Sequence, residues 1–529
     1  MTLGNNIINK IDKIRNYLHG GGYPDPLANA EQLSIFFFFI MYETLDDNLI
    51  SRDKNYKSIF LGKSKLKNKN NSIDNQDNIK NENFKWSIWS RSLSGNQLVF
   101  FVRDEVFPFY NKTTSSLKYN FLEGSKLIFI DAVILKQVLS LLNDLDLNNL
   151  DIDTKGDLFE YILKQIRQAG ELGQFRTPRH IIETIIEIIH PKIGEKIYDP
   201  AVGTAGFLIS AFNHIKKINS SKNGTREVDI DGTKYIRGIG DKLSKKNFEL
   251  LEKETFFGND VDIRMTKLSM MNLFLRNLQN INILNENALT TSFNKEFKIE
   301  KKLPLNGFDV VLANPPFSGK IDKARIVNEV KIGTSKSTEL LFIKHIINSL
   351  NNNGRVGMVV PEGILFGRNK SFTYLRKNII DDFYINAIIS LPRGVFNPYS
   401  GVKTSILILT KGKPHSHILF IDVQNDGYKM NSQHNFPIKE NDLPIVIEIY
   451  NNKEKYFNLW KKNYKKNTKW EGNYFFVALD EIKKNDYLLN LNRHKPYFIK
   501  RDKNYNAKKE KIIKLSEKLL NLSKGFKKI

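Results

Sequence analysis

Two short segments carry the residue types that could do chemistry. The first is DPAVGTAGFL at 199–208, and the second is FDVVLANPPF at 308–317. Glycines in the first segment leave room for a ligand against the backbone, where a strand is expected to turn into a helix. The second segment can hold an amino group on a planar ring and stack that ring on an aromatic face. In this order they predict a methyl-donor site beside an acceptor site, and hence S-adenosylmethionine-dependent methylation of an exocyclic amine.

The second segment is expected to be a buried strand that ends in two hydrogen-bond acceptors. Residues 308–313 are nearly all apolar, which is typical of a strand buried on both faces, and the prolines that follow cannot donate to a sheet ladder. The side-chain oxygen of Asn314 and the backbone carbonyl of Pro315 can accept from one NH₂ group, which frees the nitrogen lone pair to attack a methyl group. Phe317 offers a stacking face. An ordinary Asn-Pro turn is the alternative.

The glycine loop is expected between a strand at 195–198 and an apolar helix at 207–212. Gly203 and Gly206 let the backbone approach a ligand closely. The spacing is not Gly-x-Gly-x-x-Gly, and the Gly-Lys-Ser at 62–64 lacks the earlier glycine of a P-loop. The chain therefore shows no sequence sign of an ATP-driven motor. A tight strand-to-helix turn is the alternative for the loop.

Two more strands complete an alternating strand–helix pattern. A strand at 255–260 ends in Asp260, and an acid in that place can bind ribose hydroxyls. The polar stretch 217–245 is interpreted as an insertion that lengthens the path to this acid. A further strand is expected over 281–289, where Asn287 could meet the adenine edge of the cofactor or simply form a turn. The pattern predicts an α/β fold with a doubly wound, Rossmann-like sheet.

Several segments beyond these motifs resemble the modification (methyltransferase) subunit of type I restriction-modification systems, a family of N6-adenine DNA methyltransferases. They are LHGGGYPDPL at 18–27, GQFRTPRHI at 173–181, RVGMVVPEGILF at 355–366, LPRGVF at 391–396 and GVKTS at 401–405. The likeness covers roughly residues 1–415. It implies S-adenosyl-L-methionine as the cofactor and adenine N6 in duplex DNA as the acceptor.

The resemblance also implies the residues of the site. Asn287, at the end of its own predicted strand, is added to the residues that the resemblance implies. The expected cofactor-binding residues are then Gln174, Phe175, Arg176, Thr177, Pro178, Arg179, Asp199, Gly203, Thr204, Ala205, Gly206, Asp260 and Asn287. The expected catalytic residues are Asn314, Pro315, Pro316 and Phe317. Two positions depart from the family. Arg176 stands where an aromatic residue is usual, and Asp260 stands where glutamate is commoner, which keeps the charge but shortens the reach.

The expected mechanism is direct in-line transfer, with no covalent intermediate and no metal. The nine histidines show no metal-ligand spacing, so no metal site is predicted. The chain has no cysteine, which excludes C5-cytosine methylation through a cysteine nucleophile. Its net charge of +24 suits a polyanion partner, although a lysine- and asparagine-rich composition explains part of it. Neither a membrane-spanning apolar run nor a signal peptide is visible, so a cytoplasmic location without membrane association is expected.

Composition shifts predict three parts. Residues 1–165 are expected to form a mostly helical domain, 166–415 the methyltransferase domain, and 416–529 a C-terminal region of which 416–500 is uninformative. The last part, 507–529, is predicted to be a basic amphipathic helix. In the family such a tail meets the specificity subunit; the alternative is a solvated terminal helix.

The expected partners are duplex DNA and a specificity subunit, with two copies of this chain around one copy of it, and a restriction (nuclease and motor) subunit is a further candidate. The DNA recognition sequence is not visible in the chain. Two other functions are left open. A protein glutamine methyltransferase also uses an Asn-Pro-Pro-aromatic pocket, generally with tyrosine in place of Phe317. A catalytically inactive subunit that binds DNA or sister subunits is the non-enzymatic alternative.

Overall fold

The computed structural model describes most of the chain. The described residues are 5–52, 56–64, 79–114, 122–147, 150, 152–168, 177–230, 233–278, 281–412, 416–432, 434, 436–465, 472–496, 513 and 515–516. The predicted tail helix 507–529 therefore lies almost wholly outside the described residues, as do Gln174, Phe175 and Arg176. None of the described helices combines the length and the apolarity that crossing a membrane would need.

The N-terminal part consists of helices packed around aromatic side chains. The helices are α1 (Asn5–Gly20), α2 (Pro26–Arg52), α3 (Trp86–Ser92), α4 (Gly95–Phe101), α5 (Phe107–Thr114), α6 (Ala132–Asn143) and α7 (Ile152–Gln168), with a short hairpin of β1 (Lys63–Ser64) and β2 (Ile79–Lys80). The four phenylalanines 36–39 of α2 are all buried, since a helix that is apolar all round must lie in the interior. Phe39 stacks on Tyr110 with ring centroids 4.3 Å apart.

A nine-stranded mixed sheet forms the centre of the rest of the chain. Its strands, from one edge to the other, are β15 (Tyr474–Ala478), β12 (His417–Asp422), β10 (Phe383–Ser390), β11 (Thr404–Lys411), β9 (Leu350–Pro361), β8 (Phe308–Ala313), β3 (Ile197–Asp199), β6 (Phe256–Asp260) and β7 (Asn282–Asn285). The five strands from β9 to β7 are parallel to one another, whereas β11 pairs antiparallel with β9. The doubly wound α/β prediction is confirmed, and β8 has the predicted bounds.

Helices and two small hairpins accompany the sheet. The helices are α8 (Arg179–Ile189), α9 (Gly206–Ile218), α10 (Lys245–Lys253), α11 (Ile263–Phe274), α12 (Lys295–Glu300), α13 (Thr338–Ser349), α14 (Gly363–Phe366), α15 (Lys370–Asp382), α16 (Leu443–Asn451), α17 (Lys453–Lys465), α18 (Leu479–Lys484) and α19 (Leu491–His494). The hairpins are β4 (Thr225–Ile230) with β5 (Thr233–Gly238), and β13 (Asp426–Tyr428) with β14 (Pro437–Asn441). The first hairpin occupies the stretch that was interpreted as an insertion.

The structure differs from the sequence predictions at three places, of which the smallest is β3, expected over 195–198 and found at Ile197–Asp199. The strand expected over 281–289 ends at Asn285, whose side-chain amide donates to the backbone carbonyls of Asp260 (3.0 Å) and Val261 (3.2 Å). The predicted boundary at residue 415 falls between two strands of one sheet. Strand β12 pairs in parallel with β10, and β15 pairs antiparallel with β12, so residues 417–478 contribute to the same sheet as the glycine loop.

Helix α8 packs directly on β9, and Gly357 permits the contact. A Cβ atom at this glycine would lie 2.5 Å from Cγ2 of Ile185 and 2.8 Å from Cγ1 of Ile189. Helix α8 begins at Arg179, where the segment predicted to cover the cofactor ends, so this packing sets the position at which that segment ends.

Replacing Gly357 with alanine should therefore destabilise the protein. We expect the free energy of unfolding to fall by about 1–3 kcal/mol, because the added methyl group overpacks the helix against the sheet. Urea unfolding followed by circular dichroism measures the change. Gly363→Ala is the matched control, since a Cβ there meets no atom within 4 Å. Equal stability of the two variants would contradict the close packing.

Candidate active site

The two predicted motifs meet because their strands are neighbours. Strand β3 pairs in parallel with β6 on one side and with β8 on the other. The chain runs from β3 outward to β6 and β7, and then returns to place β8 on the opposite side of β3. Open α/β sheets bind their ligands where the direction reverses in this way, at the carboxyl ends of the strands, which here are β3 and β8. Asp199 closes one of these strands and Asn314 follows the other.

The glycine loop turns tightly into helix α9. Gly203 has a φ of +52° and Ala205 has a φ of +66°, both in the left-handed region. Glycine adopts that conformation freely, whereas alanine pays a strain cost of about 1–3 kcal/mol. A Cβ at Gly206 would lie 3.1 Å from Cδ1 of Ile182, so α8 and the loop approach each other closely here. The loop can present backbone to a ligand only because these positions tolerate that geometry.

Asp260 is held against the glycine loop. Its Oδ2 accepts from the backbone N–H of Gly203 (3.0 Å), and its Oδ1 accepts from the N–H of Asp262 (2.9 Å). Burial raises the pKa of Asp260 although these N–H donors act against the shift. The loop and the predicted ribose-binding acid are thus one hydrogen-bonded unit. The shorter side chain of aspartate already reaches the loop.

Two apolar side chains beside Asp260 were missed by the sequence argument. Val261 is 69% exposed and Ile263 is 48% exposed, although both are large aliphatic residues. They lie at the carboxyl end of β6, next to the carboxylate predicted to bind a ribose. An exposed aliphatic surface there can pack against a flat heterocycle. The available signal was their position directly after the acid that ends the strand.

Asp199 is a buried carboxyl at the head of the loop. Its Oδ1 accepts from the backbone N–H of Ala201 (3.0 Å), and the residue is 2% exposed. Burial, together with the negative charge of Asp260, raises the pKa of Asp199 to about 8. Two carboxyl groups near one another in a buried setting favour a cationic ligand, which lowers the cost of ionising them.

The backbone of the loop is also supported from the N-terminal helices. The carbonyl oxygen of Thr204 accepts from Nδ2 of Asn272 (2.7 Å), and the same nitrogen donates to Glu160 of α7 (2.7 Å). The hairpin β4–β5 is attached to the same helix, because Arg237 makes a bidentate ion pair with Asp157 of α7 at 2.6 and 2.8 Å. Helix α7 therefore braces the glycine loop, a role with no motif in the sequence.

The other predicted cofactor residues are placed as follows. Thr177 and Pro178 are buried just before α8. Nε of Arg179 lies 4.0 Å from Oε1 of Glu183, and its guanidinium group lies over the ring of Tyr235. The side-chain oxygen of Asn287 accepts from the N–H of Leu289 (2.9 Å), which is the turn arrangement weighed for it. Contact of Asn287 with the cofactor stays a prediction.

Asn314 presents an unsatisfied amide at the end of β8. Both Oδ1 and Nδ2 are shielded from solvent, and within the described part of the chain neither has a hydrogen-bond partner. Leaving a buried polar group unpaired costs about 1–3 kcal/mol, so such a group calls for a ligand. An acceptor oxygen beside an NH₂ donor matches an exocyclic amine beside an unprotonated ring nitrogen. Phe317 is buried nearby and packs edge-to-face on Phe396, with ring centroids 5.4 Å apart.

Comparison with known proteins identifies the family. A model of the N-6 DNA methylases matches residues 150–503. The methylase subunit of the type I restriction enzyme EcoEI from Escherichia coli is 30% identical over 429 residues, which cover 78% of this chain and 78% of that subunit. The methylase subunit of EcoKI from Escherichia coli K12 is 30% identical over 264 residues, which cover 49% of this chain and 45% of that subunit.

Solved structures share the fold. A chain from a study of complex assembly and conformational transition in the type I restriction-modification system superposes with a TM-score of 0.66 at 22% identity, and 99% of each chain is covered. A modification subunit of a type I restriction enzyme from Vibrio vulnificus gives a TM-score of 0.64 at 20% identity, covering 91% of this chain and 92% of that one.

The chain belongs to the N-6 DNA methylase family, as a methylase subunit of the type I restriction class. The resemblance inferred from the motifs is thereby confirmed. Its activity is the methylation of adenine at N6 in DNA. This activity separates it from the protein glutamine methyltransferases that the Asn-Pro-Pro-Phe motif had left open.

Proposed function

We propose that the chain transfers a methyl group from S-adenosyl-L-methionine, bound at the glycine loop and Asp260, to N6 of an adenine held by Asn314, Pro315, Pro316 and Phe317. The buried, unpaired amide of Asn314 beside the glycine loop is the observation that carries this proposal. The donor and acceptor sites open at the carboxyl ends of adjacent strands, so short-range transfer between them needs no large movement of the sheet.

The residues around the loop fit the cofactor. S-adenosyl-L-methionine is a cation that carries its transferable methyl group on a sulfonium sulfur. The carboxyl groups of Asp199 and Asp260 supply negative charge and a ribose acceptor, while Val261 and Ile263 supply an apolar wall for the adenine ring. The left-handed turn at Gly203 brings backbone close to the ligand. The segment Gln174 to Arg179 is proposed to cover the methionine end.

The acceptor side acts by positioning the amine. Oδ1 of Asn314 and the carbonyl oxygen of Pro315 accept the two N6 hydrogens, and Nδ2 of Asn314 can donate to the neighbouring ring nitrogen. These bonds strengthen as N6 becomes tetrahedral, so they favour the transition state over the flat ground state. Phe317, braced by Phe396, holds the ring of an adenine turned out of the duplex. Pro315 and Pro316 fix the backbone that aims these acceptors.

Substituting Asn314 with alanine should abolish transfer while leaving the cofactor affinity within a few-fold of wild type. The reason is that Asn314 serves the acceptor and not the donor. Asp260→Ala is the matched control with the opposite pattern, since it should weaken cofactor binding by about 1–3 kcal/mol through loss of a charged acceptor. Isothermal calorimetry with S-adenosyl-L-methionine and a methylation assay measure both effects. Near wild-type transfer by the Asn314 variant would rule out its role, and a wild-type chain that binds no cofactor would support the inactive-subunit alternative.

Cofactor affinity should rise with pH up to about 8. The raised pKa keeps Asp199 protonated in the free protein below about 8, and a cationic ligand binds the ionised form better. Binding at pH 6–7 should therefore release a proton, and the affinity should gain at most tenfold per pH unit and level off near 8. Calorimetry in buffers of different ionisation enthalpy tests this, and Asp199→Asn should flatten the pH profile.

The same raised pKa of Asp199 lowers the free energy of unfolding as pH rises from about 4 to 8, since the aspartate ionises first in the unfolded chain.

The proposed working unit is a complex of two copies of this chain with one specificity subunit on duplex DNA, with a restriction subunit as a further partner. The net charge of +24 supports binding to a polyanion, and the relatives are named as subunits of type I restriction enzymes. The tail 507–529 is proposed to contact the specificity subunit. A cytoplasmic location is proposed because duplex DNA is the expected partner.

Alone, the chain should bind duplex DNA weakly, without sequence preference and with a strong dependence on salt. Site-specific methylation should appear only with a specificity subunit, and removal of 507–529 should impair the assembly. Base-resolution mapping of N6-methyladenine on a random-sequence plasmid tests this directly. Complete modification of one defined motif by the chain alone would show that it contains its own recognition element.

A further inference from the structure

Three side chains that are far apart in the sequence form a buried polar cluster. Nε2 of His180 lies 2.8 Å from Oδ2 of Asp426, and Nε2 of His434 lies 3.1 Å from the same oxygen. Asp426 and His434 are inaccessible to solvent on their side chains, and the ring of His180 stacks on Tyr428 at 4.5 Å. No spacing in the sequence indicated this cluster, because its members come from the start of α8 and from the hairpin β13–β14.

The cluster is better explained by hydrogen bonds than by a metal ion. Its three ligand atoms lie within 4.8 Å of one another, so a cation is a candidate. However, ligands of a tetrahedral zinc ion at about 2.0–2.1 Å from the metal are roughly 3.3 Å apart, which is longer than the 2.8 Å between His180 and Asp426. A ligating histidine also donates through its other nitrogen, whereas Nδ1 of His434 has no partner among the described residues. With the proton on Nε2, Nδ1 carries only a lone pair, so no N–H group of the His434 ring is left without an acceptor.

Asp426 thereby fixes the start of helix α8. Burial opposes ionisation of this aspartate, but the hydrogen bonds from His180 and His434 hold its pKa below the ordinary value. His180 is the second residue of α8, directly after Arg179. The cofactor-covering segment enters the helix at that point. A charge-assisted bond from each imidazole to one buried carboxylate is a strong attachment for that entry.

The same stretch of chain also contacts the wall of the acceptor pocket. The backbone carbonyl of Asn431 accepts from Nδ2 of Asn397 (2.9 Å), and the side-chain oxygen of Asn431 accepts from the N–H of His434 (2.6 Å). Asn397 is the residue after Phe396, whose ring packs on Phe317. Residues 426–432 and His434 therefore contact the donor side through His180 and the acceptor side through Asn397.

We propose that residues 426–432 together with His434 form a bridge that couples cofactor binding to capture of the adenine, with Asp426 as its positioning residue. The inference rests on the proposed function, since it needs the cofactor and the base in the two sites named there. Cofactor bound against Thr177 to Arg179 restrains His180 at the start of α8, and the bridge passes that restraint to the loop that carries Phe396. Coupling of this kind is reciprocal, so bound cofactor tightens DNA binding and bound DNA tightens cofactor binding.

Asp442, which binds the two residues that precede the bridge, offers a control that is independent of the proposed donor and acceptor sites. Oδ2 of Asp442 accepts from the backbone N–H groups of Gln424 (2.8 Å) and Asn425 (2.9 Å), next to strand β12. Asp442→Asn makes the same chemical change as Asp426→Asn directly after the same hairpin, but Asp442 has no bond to His180 or Asn397. A purely structural role of the hairpin would make the two variants behave alike.

The test measures the factor by which saturating S-adenosylhomocysteine changes the affinity of the complex with its specificity subunit for duplex DNA. A coupling factor of about 5–150 is typical, and we expect a factor in that range for wild type. It should fall toward 1 in Asp426→Asn and in Asn397→Ala, while Asp442→Asn keeps the wild-type factor even if its melting temperature falls. If Asp426→Asn does not fold, Asn397→Ala provides the test instead. Asp426→Glu keeps the carboxylate and should retain part of the wild-type coupling.

Four outcomes would overturn the bridge, and the first three concern the variants and a metal ion. They are wild-type coupling in both Asp426→Asn and Asn397→Ala, equal loss in Asp442→Asn, and a stoichiometric zinc ion whose removal by a chelator reproduces the loss. An absence of coupling in an active wild-type complex would also overturn it. A wild-type complex that neither binds S-adenosyl-L-methionine nor methylates adenine would instead refute the proposed function, so the two failures are distinguishable.

Discussion

The parallel pairing of β3 with β8 is the constraint on which the rest of the site depends. Ile197 pairs with Val310 and Tyr198 with Val311, so the glycine loop and the Asn-Pro-Pro-Phe segment leave the same edge of the sheet side by side. The pairing is possible because both strands are apolar on both faces and buried between helices. Everything proposed for the donor and acceptor follows from that adjacency. Separate folding of either motif would leave it with no partner for the reaction.

The sequence predicted the elements whose signals are local. An unbroken apolar run ended by prolines gave β8, and glycines after a short strand gave the turn into α9. The predicted end of β7 was wrong by a few residues. The strand ends at Asn285, whose side chain donates to the backbone carbonyl of Asp260 in the neighbouring strand β6. Such contacts lie between residues far apart in the chain, and periodicity carries no trace of them.

The supports of the site were beyond sequence reasoning for the same reason. Asn272 and Glu160 brace the backbone of Thr204 from helices that show no motif, and Asp426 lies in a stretch whose composition is mixed. Buried polar residues of this type look like ordinary surface residues in a sequence. Only the fold shows that they are enclosed and paired, and a fully paired polar network in the interior positions its members more firmly than apolar packing alone. The residues proposed to bind the cofactor and the adenine were predictable from the sequence, and the residues that position them were not.

The late strands of the sheet have a consequence for how the chain folds as it is synthesised. Strand β10 pairs with β11 on one side, its other side is covered when β12 has been made, and β15 then covers the free side of β12. Until residue 478 has left the ribosome, either β10 or β12 has an open edge, and open edges pair with foreign strands. A chain cut at residue 415 would carry that edge permanently. Translation of the last part of the sheet is therefore the step at which a nascent chain is most exposed to aggregation, and an excised catalytic fragment needs to extend beyond β15.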